Sequence, residues 1–119
     1  MDAAQVLDRA GDILRDPAHW SKGYTARDQH GQELDNWHDP AAVCFCIGAA
    51  ISKAAHELFG ESRFGGGPIG NLADRFVVGM NLSDEEAGDC IVRFNDLPQT
   101  THADIVLTLR ASAQQARQA

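Results

Sequence analysis

The stretch from Asp39 to Gly60 limits what this chain can fold into more than any other. Asp39-Pro40 is a strong helix start: aspartate suits the N-cap, and proline suits the first helical position, where a missing N–H costs nothing. The next residue suited to ending a helix is Gly60, which can take the left-handed conformation just past a C-terminus. The spacing therefore predicts a helix from Pro40 to about Phe59. Its apolar positions, Val43, Cys44, Phe45, Ile47, Ala50, Ile51, Ala54 and Leu58, cover most of the circumference in the first half. A helix apolar nearly all round is usually packed on several sides, so this one is expected at the centre. Gly48 and Ala49 would let another helix approach closely.

The remaining segments fit around it. Val6, Leu7, Ala10, Ile13 and Leu14 follow helical spacing over residues 3 to 15, with Asp2 able to cap the start and Asp16-Pro17 ending the run. Residues 16 to 38 have no sustained helical period; "YTARDQHGQEL" reads as a short hairpin turning through Asp28 to Gly31. "GESRFGGGPIG" is a loop, and it lacks the ending of a phosphate-binding loop and the strand that precedes a dinucleotide site. A third helix is expected from Pro68 to near Gly79. A fourth follows a capping box at Ser83 and Glu86, carrying Ala87, Cys90, Ile91 and Phe94. Thr101 with Asp104 is a second such box, opening a last helix with Ile105, Val106, Leu109 and Ala113 on one side. The expected fold is mainly α: one domain, 1–119, as a compact bundle of four to five helices. An irregular aromatic-rich insert or small β-hairpin occupies residues 20–38.

Composition narrows the function. The chain has 119 residues, enough for one modest core. Seventeen acidic residues against ten basic ones give a net charge of −7, with no basic stripe, so no nucleic-acid partner is expected. The carboxylates are spread along the chain, as on an ordinary soluble surface, rather than arrayed as a DNA mimic would need. The longest apolar run, Ala41 to Ile51, is about half of a membrane span, so no membrane partner is expected. The N-terminus has no basic region ahead of its apolar positions, which points to a cytoplasmic protein. Three cysteines without an export signal argue for reduced thiols rather than a disulfide framework.

Three stretches, "WSKGYTARDQHG", "CFCIGAA" and "FNDLPQTTHADIV", together resemble a family of small uncharacterised proteins from bacteria and their phages. Its pattern is Trp-x-Lys/Gln-Gly, Ala-Arg-Asp, Cys-x-x-Gly-Ala, aromatic-Asn-Asp and Thr-His. These motifs fall on Trp20, Gly23, Ala26, Arg27, Asp28, Cys46, Gly48, Ala49, Asn95, Asp96, Thr101 and His102. The family is a domain of unknown function, so the resemblance implies kinship and no activity.

The residues themselves suggest two sites. A thiol hydrolase or transferase would use Cys46 as nucleophile, His102 as base, and Asn95 or Asp96 to orient the imidazole. At the first turn of the last helix, His102 would be held neutral and able to accept a proton. Against this, Cys46 is expected about two turns inside its helix, among Phe45 and Ile47, where nothing stabilises a thiolate. "FNDLPQTTH" is also explained as a tight corner, with Asn95 ending one helix in the left-handed conformation and Thr101 starting the next. Metal and cofactor are not expected. On a helix, Cys44 and Cys46 point about 200° apart, and His19, His30, His38 and His56 lack paired ligand spacing. The second site is the insert, where Trp20, Tyr24, Arg27, Asp28 and Trp37 are of the types enriched at binding hot spots, joined by Lys22 and His38. The alternative is that both indoles fold inward to cover the core. The leading expectation is a non-enzymatic acidic module that binds a partner protein or a second copy of itself. A Cys/His enzyme, or a small ligand under the insert, are the other readings.

Overall fold

A computed structural model describes residues 3–60 and 94–118. Helix α1 (Ala3–Ile13) is followed by a 3-10 turn (Pro17–His19), whose N-cap Asp16 accepts from the Ala18 N–H at 2.9 Å. Strands β1 (Ala26–Arg27), β2 (Glu33–Leu34) and β3 (Cys44–Phe45) come next, then α2 (Ile47–Phe59) and α3 (His102–Gln118). The expectations for a glycine-rich loop and for third and fourth helices fall on residues 61–93, outside the described residues, as does the cap at Asp2.

The expectation of a mainly α bundle with no more than a small hairpin is corrected by a three-stranded antiparallel sheet in the order β2-β1-β3, which makes this a small mixed α/β domain. The β1–β2 hairpin lies where the turn residues placed it. Ala26 pairs with Leu34 and Arg27 with Glu33. Asp28 organises the turn by accepting from the His30 and Gln32 N–H groups, while Gly31 takes φ 79°, a conformation that suits glycine.

The third strand is where the long helix was expected. Asp39 does act as a cap, since its carboxylate accepts from the Ala41 N–H at 2.9 Å, but what it organises is a single turn. The chain then runs extended through Cys44-Phe45, paired as Ala26↔Phe45 and Arg27↔Cys44. Val43 N–H to the Arg27 carbonyl and Cys46 N–H to the Thr25 carbonyl flank the pairing. Val, Cys and Phe fit a half-buried pleated surface at least as well as a helix, and the ladder offered by β1 decides between them. Helix α2 therefore begins only at Ile47, with Cys46 as its N-cap, and closes at Gly60 as its spacing required.

Among the described residues the middle helix is α1, not α2: it packs against both α2 and α3. Val6, Leu7, Ala10 and Leu14 meet Ile47, Ile51, Ala54 and Ala55 of α2 and Ile105, Leu109 and Ala113 of α3 in one buried cluster. Small side chains on α2 (Ala49, Ala50, Ala54, Ala55) allow close packing. Gly11 opens α1 to α3. A Cβ there would lie 2.9 Å from the Arg110 guanidinium carbon, and Arg110 uses that space to reach Asp8 and Asp12. The capping box at the start of α3 is reciprocal: Thr101 N–H donates to Asp104 Oδ2, and Asp104 N–H to Thr101 Oγ1.

One polar group sits badly in this core. Ser112 Oγ on α3 is fully buried and has no hydrogen-bond partner among the described residues. An unpaired buried hydroxyl costs about 1–3 kcal/mol, whereas truncating a buried leucine costs about 2–5 kcal/mol. Ser112→Ala should therefore keep or raise the midpoint of a urea melt, and Leu109→Ala should lower it sharply. A loss on Ser112→Ala as large as that on Leu109→Ala would mean the hydroxyl is bonded.

Candidate functional site

The aromatic insert and the corner at residues 94–102 form one structure. Residues 94–96 are helical, and Asn95 is fully buried between the chain after the 3-10 turn and the start of α2. Its amide oxygen accepts from Trp20 Nε1–H at 2.8 Å and from the Ile47 N–H at 3.0 Å. Its Nδ2 donates to the Ser21 carbonyl at 3.0 Å and to Asp96 Oδ1 at 2.9 Å. Two donors and two acceptors satisfy all four bonds an asparagine side chain can make. Asn95 is thus a buried bridge, not the left-handed helix terminator expected from its place before Asp96 and Pro98.

The neighbouring residues repeat the clasp. Asp96 Oδ1 also accepts from the N–H of Gly23, which has φ 86°. Lys22 Nζ donates to the Thr100 carbonyl at 2.8 Å and lies 5.6 Å from the Trp20 ring centre. His102 Nε2 meets the carbonyl of Leu14 at the end of α1, and its ring centre lies 6.2 Å from that of Trp20. The half-buried His102 is therefore pinned to the end of α1. A carbonyl oxygen only accepts, so Nε2 carries the proton, and only Nδ1 of the neutral ring could act as a base.

Cys46 changes character most. At the N-cap of α2 its sulfur accepts from the Ala49 N–H at 3.3 Å, so it stands at the positive end of a helix and not two turns inside one. The objection from lost helix field is thereby removed. Burial nevertheless pushes the thiol pKa up, opposed by the Ala49 and Gly48 N–H groups and reinforced by the charge of Asp96. The resting group at neutral pH is a protonated thiol.

Cys44 and Cys46 lie on extended chain, where residues two apart share a side, unlike the opposed directions expected on a helix. Their sulfurs still have different partners: Cys44 Sγ–H donates to the Ala18 carbonyl at 3.0 Å, while Cys46 faces Ala49. Among the described residues no group of three or more His, Cys, Asp or Glu side chains could share a metal ion. No helix among them is long and apolar enough to cross a membrane.

The insert residues divide. Trp20 is tied to Asn95 and Trp37 packs against the core, so both indoles turn inward in part. Arg27 donates to the Gly31 and Lys22 carbonyls and lies 3.9 Å from Glu33, so its ionic partner is across the hairpin rather than Asp28. Tyr24 O–H donates to Asp35 at 2.8 Å, and that bond raises the phenol pKa. An open cleft of about 210 Å³ remains, lined by Gly23, Tyr24, Thr25, Cys46, Asn95 and Asp96. Asp96 Oδ1 faces the two donors named above, and Oδ2 has no hydrogen-bond partner among the described residues. Of the expected catalytic set, Cys46, Asn95 and Asp96 line this cleft, and His102 is not among the lining residues. Gly23 and Thr25 were not foreseen as lining residues; only the glycine preceding Tyr24, with its turn character, carried a signal.

The sequence model of a family described as a family of unknown function (DUF6197) matches residues 1–115. No curated protein and no solved structure matches the chain.

Because its pKa is raised, Cys46 should alkylate slowly in the native protein at neutral pH, and its rate should climb with pH through a midpoint above that of a free cysteine. Mass-spectrometric mapping after iodoacetamide treatment measures this, native against denatured. His102→Ala should leave that rate unchanged while lowering stability by about 1 kcal/mol, the worth of one hydrogen bond. Rapid native labelling that His102→Ala abolishes would restore the histidine as the base of the thiol.

Proposed function

The chain belongs to that family of unknown function, which brings no activity with it, and we propose from the geometry that it is a non-enzymatic recognition module. The cleft beside Cys46 receives one basic side chain of a partner protein. The observation that carries this reading is the composition of the cleft: the exposed carboxylate of Asp96 and the aromatic side chain of Tyr24 both line it, on a chain of net charge −7. A carboxylate next to an aromatic face favours an ammonium or guanidinium group through ion pairing and cation–π attraction. A volume of about 210 Å³ is below the usual range for drug-sized ligands, about 300–1,000 Å³, and suits the end of one side chain. The net charge of −7 would also speed encounter with a basic surface.

The enzyme reading has one observation in its favour, the helix-end position of Cys46. It has two against it. The thiol is protonated at rest. The Nε2 of His102 and the whole of Asn95 are committed to structural bonds. A nucleophile without an adjacent base or a lowered pKa is a poor one.

Asp96→Asn keeps the Gly23 and Asn95 contacts within reach of an amide oxygen and removes the charge, so it separates binding from folding. Arrays of Lys/Arg-containing and Asp/Glu-containing peptides should show binding confined to the basic set. Affinity for the best basic peptide, read by fluorescence anisotropy, should drop about tenfold in Asp96→Asn, a loss of about 1.4 kcal/mol. Binding that favours acidic peptides, or that ignores Asp96→Asn, would contradict the proposal.

A further inference from the structure

A second cluster lies apart from this cleft, and none of its residues lines it. Three rings meet where the loop after β2 crosses the end of α2. Trp37 and His38 stack with centres 3.7 Å apart at 30°, and His56 stands edge-on to Trp37 at 5.7 Å. The two imidazoles stand edge-on to one another, 6.1 Å between centres and 85° between planes. Trp37 is half-buried against the core, whereas both histidines are exposed. Among the described residues neither imidazole has a hydrogen bond to its ring nitrogens, in contrast to His102 and to His30, which contacts Gln29.

We propose that His38 and His56 form an open two-histidine site for an imidazole-preferring divalent transition metal such as Zn²⁺. The spacing is the first argument. A Zn–N bond is about 2.0–2.1 Å and a ring nitrogen lies about 1 Å from its ring centre, so two imidazoles on one ion have centres up to about 6 Å apart. The observed separation sits at the upper end of that range. Closing to the roughly 5 Å of a tetrahedral angle needs a shift of about 1 Å, which rotation of the exposed His56 side chain can supply while His38 stays stacked on Trp37.

Position is the second argument. His56 lies in the last turn of α2, where the negative end of the helix favours a cation. The loop that carries His38 is held in place: its N–H donates to Asn36 Oδ1 at 2.8 Å, and the Asp39 N–H to the Asn36 carbonyl at 3.2 Å. Stacking on Trp37 restrains the His38 ring further, so little rotamer freedom is lost on binding. With two protein ligands, two positions are left for water or a partner's side chain, one more than in a catalytic zinc site. The eighteen-residue separation of the two histidines in sequence conceals the pair from any motif search.

Titrating the untagged protein with Zn²⁺, while recording the imidazole nitrogens in long-range proton–nitrogen NMR spectra, tests the site. His38 and His56 should shift together and saturably, reversing with a chelator, while His19, His30 and His102 stay in place. His38→Gln and His56→Gln should each weaken binding at least about tenfold, because each removes one of two protein ligands; His19→Gln should not. Imidazole signals of His38 and His56 that stay unmoved up to about 1 mM Zn²⁺ would overturn the proposal, as would affinity retained in the double variant.

Discussion

The buried amide of Asn95 is the contact on which the rest of this half of the molecule depends. Without it the part-buried indole N–H of Trp20 and the buried first N–H of α2 would both lose their partner, the buried one at a cost of about 1–3 kcal/mol. With it, three segments distant in sequence are fixed at one point: the chain after the 3-10 turn, the start of α2, and the short helical stretch at 94–96. Asp96 and Lys22 then extend the same clasp along both chains. Buried amide networks of this kind specify one arrangement because every alternative leaves a donor or acceptor unmet.

That clasp also determines what the cleft can do. Asn95 and His102, which might have served a catalytic centre, are committed to structural bonds, and Cys46, Tyr24 and Asp96 are among the residues that line the cleft. Cys46 has two functions in the fold: it ends β3 and caps α2, so its sulfur faces backbone N–H groups for structural reasons. A cysteine so placed resembles an activated nucleophile in outline, yet burial and a nearby carboxylate keep it protonated.

Much of the architecture was legible in local chemistry. The turn at Asp28 to Gly31, the cap at Thr101 and Asp104 and the stop at Gly60 all follow from residues whose side chains bond their own backbone or permit positive φ. The error at residues 40–46 has the opposite origin. Asp39-Pro40 gives a true start signal, but whether a helix or a turn follows depends on the ladder of β1, which lies more than a dozen residues away and has no local signature. The same misplacement put Cys46 inside a helix and Cys44 opposite to it. The role of Asn95 was hidden for a related reason: a buried bridge and a helix terminator call for the same residue type, and only the tertiary partners Trp20, Ser21 and Ile47 distinguish them.

The central claim is that Asn95 holds the Trp20 indole and the start of α2 together as one structural unit. Hydrogen exchange in the native state reads both donors directly, through the Trp20 indole N–H and the Ile47 amide. Both should exchange slowly in the wild-type protein, and Asn95→Ala should accelerate both together while amides in the middle of α1 and α3 keep most of their protection. An indole N–H that exchanges freely in the wild-type protein, or an Asn95→Ala variant in which the two protons keep their protection, would contradict the account.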